Sequence, residues 1–122
     1  TWFEAFNLGI LCNIMVCVAV WMSYSGKTVT DKAFIMIMPI GLFVASGFEH
    51  SVANMFMIPM GIITAHFSTP EFWQQIGVDP MKYADLDLYH FIVKNLIPVT
   101  LGNIVGGAIC MGVFQRYLTK TH

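Results

Sequence analysis

Three stretches of the chain are nearly free of charge, residues 5–26, 33–66 and 95–115. The first and third have the length of a helix that crosses a bilayer, about 20 apolar residues. They predict helices over about residues 3–24 and 89–117. The middle stretch is too long for one untilted span: as a single helix it would reach about 50 Å, against a hydrocarbon core of about 30 Å. A polar knot, GFEHS, lies at its centre, in residues 47–51. The pattern therefore predicts two half-helices, about 33–46 and 52–65, meeting at a break near the membrane centre. Gly47 is the residue suited to the unusual backbone angles of such a break. Ser51 is expected to cap the second half-helix, and Asn54 to have an architectural role.

The connections are polar. In SGKTVTDK, residues 25–32, Gly26 permits a helix stop and Thr30 or Asp31 is expected to cap the next helix. Residues 67–88 form a long loop with Lys82 against Glu71, Asp79, Asp85 and Asp87. Within it TPEFWQQ reads as a short helix, with Thr69 as cap and Pro70 at the first position. Phe72 and Trp73 suit an interfacial anchor. In the last stretch Gly102, Gly106 and Gly107 form a small-residue surface that invites close helix packing. The chain opens TWFEAF, without a starting Met, a basic segment or a small-residue cleavage site. It reads as part of something longer rather than as a signal peptide.

Composition supports a membrane class. Apolar residues make up 57% of the 122 and charged residues 11%, less than half the roughly 25% of ordinary globular chains. Six Lys and Arg stand against seven Asp and Glu, so there is no basic patch to support a nucleic-acid partner. Three cysteines lie in apolar runs and give no disulfide framework. Neither they nor the nine Met have the spacing of a metal site, and no metal or cofactor is expected. Phosphate-loop, nucleophile-elbow and HExxH patterns are missing, which argues against an enzyme. Lys27 and Lys32, with Arg116 and Lys120, put loop 25–32 and the C-terminus in the cytoplasm by the positive-inside rule. The acidic loop 67–88 is then external.

His50 is the strongest candidate for chemistry. Imidazole is the side chain whose charge ordinarily changes between pH 5 and 8, and ionisable groups within membranes are usually functional. It suits pairing with, or proton donation to, a small anion. The alternative is a structural histidine that ties the two half-helices together. Glu49 is either the charge partner of His50 or an acceptor that fixes the loop. Asn13, deep in the first span, is expected to orient His50 or to line the path, the alternative being a residue that joins helices. Phe43 and Val16 are bulky apolar candidates for a dewetted constriction.

The blocks GILCNIMVCVAVWM (9–22), DKAFIMIMPIGLFVASGFEHSVANMFMIPMGI (31–62) and NLIPVTLGNIVGGA (95–108) resemble the formate/nitrite transporter family over essentially the whole chain. The match is to the fourth to sixth membrane helices. The resemblance implies an all-α, aquaporin-like fold of six helices in a three-plus-three inverted repeat, of which residues 1–122 are the second half. It implies a homopentamer in the bacterial inner membrane, each protomer with its own pore, and an N-terminal half as partner. Formate and similar small monovalent anions would be the cargo, moved passively or with protons. By the same resemblance His50 matches the pore histidine, Glu49 the glutamate before it and Asn13 the pore asparagine. Phe43 matches the periplasmic-side constriction and Val16 the cytoplasmic one. A nitrite or hydrosulfide channel, and a neutral-solute channel of the aquaporin type, are the alternatives.

Overall fold

The computed structural model describes residues 1–120, which are helical apart from short connections. Helix α1 spans Trp2–Ser23, α2 Val29–Ala45, α3 Ser51–Phe67 and α4 Pro70–Ile76. A single turn of 3₁₀ helix, Pro80–Tyr83, leads to the long α5, His90–Lys120. By length and composition α1 and α5 can cross a membrane. Helices α2 and α3 have 17 residues each, about 26 Å of rise. Helix α4 turns away from α3 by 119°.

The helix starts are set by side-chain caps. Thr1 and Glu4 cap α1 reciprocally. Thr28, not Thr30 or Asp31, caps α2. Asp31 is instead the third helical residue and closes the capping box on the Thr28 backbone. The box needs an acid three residues after the cap, which moves the start of α2 back to Val29. Thr69 caps α4, its hydroxyl accepting from the Phe72 N–H at 3.4 Å, with Pro70 at the first position.

Helix α5 is irregular in two places. Residues His90–Leu96 and Val105–Met111 form wider π-type turns. The Ile97 N–H reaches back five residues to the Ile92 carbonyl, and that of Gly112 to Gly107. Each added residue rotates the two flanking parts of the helix by about 100° relative to one another. Pro98 sits just after the first wide turn and has no N–H to give.

The core lies where α1 crosses the middle of α5. Cys12, Ala19 and Val99 are fully buried there. A Cβ at Gly102 would collide with the Phe6 carbonyl oxygen, and one at Gly106 with that of Ile10. At Gly9 it would stand 2.7 Å from the Val99 carbonyl. The glycine surface of α5 is therefore occupied by α1 of the same chain. The close backbone approach leaves no room there for any larger side chain. Helix α2 packs on α1, and α3 on α5. The outer faces carry exposed Phe34, Met38, Phe56 and Tyr117, an apolar surface suited to lipid or further helices.

Candidate functional site

The break between α2 and α3 is built from local chemistry on one side and distant chemistry on the other. Gly47 stands at φ +68°. Its N–H bonds to the Val44 carbonyl at 3.2 Å, and the Phe48 N–H to that of Phe43 at 3.1 Å. This pair of bonds is the Schellman motif that terminates a helix. His50 comes next but two, in extended conformation at φ −119° and ψ 123°, as the residue before α3, and its side chain makes no capping bond.

Ser51 does not cap α3. It is the first helical residue, so its hydroxyl is in the wrong register for that role. The cap comes from α5: Asn103 Oδ1 accepts the Ser51 backbone N–H at 2.9 Å. The Asn103 Nδ2 donates to the Gly9 carbonyl at 2.8 Å and to the Glu49 carbonyl at 3.2 Å. One buried amide thus joins α1, the break and α3. Asn13 completes the arrangement, its Nδ2 donating to the Asn103 carbonyl at 2.6 Å. That places Asn13 against α5, with the Asn13 amide nitrogen 2.5 Å from where a Cβ on Gly107 would be.

The Glu49 carboxylate is held separately. Its Oε2 accepts from Asn54 Nδ2, and more distantly from Asn95 Nδ2 at 3.5 Å. Asn54 Nδ2 also donates to Asn95 Oδ1 at 2.9 Å. Glu49 and His50 are half-buried, as are Val16 in α1 and Phe43 in the last turn of α2. Among the described residues the His50 imidazole has no hydrogen-bond partner, and the Val52 and Ala53 N–H groups at the start of α3 have none either. A helix start with unpaired N–H groups favours negative charge. No group of three or more His, Cys, Asp or Glu that could hold a metal occurs among the described residues.

Residues 1–117 match the family described as formate/nitrite transporter. The chain belongs to that family. It is 98% identical over 122 residues to the formate channel FocA of Haemophilus influenzae, covering all of this chain and 43% of that one. It is 59% identical over 113 residues to FocA of Escherichia coli K12, covering 93% of this chain and 40% of that one. A solved structure described as a pentameric formate channel with formate bound is 50% identical with a TM-score of 0.87, over 98% of this chain and 47% of that one. The chain thus spans less than half the length of these relatives.

Two site residues of this formate/nitrite transporter chain escape a reading of the sequence, Asn95 and Asn103. Asn103 sits in a run of small residues whose pattern points to helix packing. Asn95 comes directly after Lys94 and passes for the polar end of a span. The signal that could have found them is depth: an amide inside an apolar span needs a partner. The same argument singles out Asn13.

Proposed function

We propose that the chain is the second half of a formate channel protomer of the bacterial inner membrane. An N-terminal half supplies the other three helices of an inverted repeat, and five protomers form a ring. The reading rests on the identity to FocA over this entire chain and on a structural relative described as pentameric with formate bound. Loop 25–32 and the C-terminus face the cytoplasm and residues 67–88 the periplasm, in line with the distribution of Lys and Arg.

The observation that carries the chemistry is the interrupted helix. It leaves an unbonded imidazole, His50, beside unpaired N–H groups at the start of α3. A formate ion leaving water for a narrow apolar passage loses its hydration, at a cost of several kcal/mol. Hydrogen bonding to His50 offsets part of that cost. Proton transfer from the imidazolium to a formate oxygen removes the rest, because formic acid crosses as a neutral molecule. Val16 and Phe43 bound the dry section on the cytoplasmic and periplasmic sides. Asn13 and Glu49 hold the pore wall. The protein conducts and converts nothing.

The test is flux in liposomes carrying the full-length protein. Formate and nitrite uptake are tracked together with internal pH, at a series of external pH values. Formate uptake faster than nitrite, rising as external pH falls and accompanied by internal acidification, is expected. Faster nitrite uptake reassigns the cargo within the family. Uptake of small neutral solutes at a pH-independent rate, without formate, places the protein with neutral-solute channels.

A further inference from the structure

The Glu49 carboxylate is the one acidic group beside the break, and its attachment is unusual. Residues 48–50 are not helical, so no regular backbone fixes where this side chain goes. Three side chains close a ring instead. Asn54 gives both amide hydrogens, one to Glu49 Oε2 and one to Asn95 Oδ1 at 2.9 Å. Asn95 returns its own N–H to Glu49 Oε2 at 3.5 Å. A carboxylate only accepts, so the ring fixes the orientation of both amides. Turning the Asn95 amide over would set NH₂ against NH₂ and oxygen against carboxylate. Asn54 lies in the first turn of α3, five residues after Glu49. Asn95 alone ties the carboxylate to a membrane-crossing helix, and it lies in the first wide turn of α5.

We propose that Asn95 is a positioning residue for the Glu49 charge. From the wide turn of α5 it holds the carboxylate at a fixed place at the break, and so sets the field that a passing anion experiences. The proposal rests on the channel reading for its effect on flux, but not for its geometry. Repulsion between a carboxylate and an anion is strong where water is scarce, so a carboxylate free to swing would change the barrier to formate and leave that to neutral formic acid, whose share depends on pH, nearly unchanged.

The test is a double-mutant cycle in the full-length protein, with Asn95→Ala, Glu49→Gln and both together. Asn95→Ala is expected to lower formate flux about tenfold, the scale of a lost hydrogen bond to a charged group, and to move the pH profile of flux. In the Glu49→Gln background the same change should have an effect of roughly twofold or less. Equal losses in both backgrounds, or reduced yield with the parent's pH profile, overturn the proposal. A second variant covers a failure to assemble. Asn95→Asp alone puts two carboxylates together and is expected to lose the pentamer. Adding Glu49→Gln restores one acid and two amides and should recover it. A swap that does not recover assembly also overturns the proposal. Recovered assembly in a protein whose parent passes no formate refutes the channel reading alone and leaves Asn95 in its role.

Discussion

Asn103 Oδ1 accepts the backbone N–H of Ser51 at 2.9 Å across 52 residues of sequence. The start of α3 is therefore held by a side chain of α5, and the two helices cannot shift independently. Its amide nitrogen meets the Gly9 and Glu49 carbonyls at the same time, so a single side chain fixes the geometry of the break.

Asn103→Ala removes the acceptor for the Ser51 N–H and the donor to the Gly9 and Glu49 carbonyls. A loss on the order of 3 kcal/mol is expected, seen as a lowered melting midpoint of the purified full-length protein. Asn103→Asp restores the acceptor for Ser51 but sets a carboxylate oxygen against two carbonyls, and should do little better. A midpoint within a degree of the parent for either variant would contradict the assignment.

The glycines separate two physical effects. At Gly102 an added Cβ collides with the Phe6 carbonyl oxygen, so Gly102→Ala must push α1 and α5 apart, at a cost of about 3 kcal/mol. At Gly47 nothing stands within 4 Å of a Cβ, but φ is +68°. Gly47→Ala there costs about 1–2 kcal/mol from backbone conformation alone, and Gly47→Asn less, because Asn tolerates the left-handed region. Thermal melts of the three variants check the order.

Asp87 gives a pH dependence outside the membrane. The His90 backbone N–H, bonded at 2.8 Å, and its ring, donating from Nδ1 at 2.7 Å, hold the Asp87 carboxyl below its ordinary value. A lowered folded-state value means stability that is fully present above the unfolded value of about 3.9. That stability is lost as pH falls through the folded value. Asp87→Asn keeps an oxygen for the His90 N–H. The parent should melt higher than this variant near pH 6, and the gap should close in strong acid. A gap constant over the whole range would refute the pairing.

His50→Asn keeps a polar side chain at the break and removes the imidazole that the channel reading uses as proton donor. With assembly verified by sizing in detergent, the variant is expected to lose proton-coupled formate uptake and most of its pH response. Uptake of formate as an anion should persist through the polar passage. A well-assembled variant that still moves one proton with each formate on the parent's pH profile assigns the coupling to formate's own acid–base equilibrium.

The sequence by itself determines the apolar runs, the position of the break and its loop chemistry, because these depend on neighbours along the chain. Gly47 is legible as a helix stop, and Thr69 with Pro70 as a helix start, since caps involve residues three or four apart. The same locality explains the error at Ser51: a serine beside a predicted helix start looks like a cap when no nearer donor or acceptor is known. Only the tertiary structure decides that Asn103 is the cap, that Asn95 holds Glu49, and that α1 covers the glycine face of α5. Each depends on the angular position of a residue on α5, and the two wide turns alter that position without a mark in the periodicity of the sequence. Bonds between groups 41 to 94 residues apart exist only once α1, the break and α5 are packed together, when a buried amide left unpartnered becomes too costly.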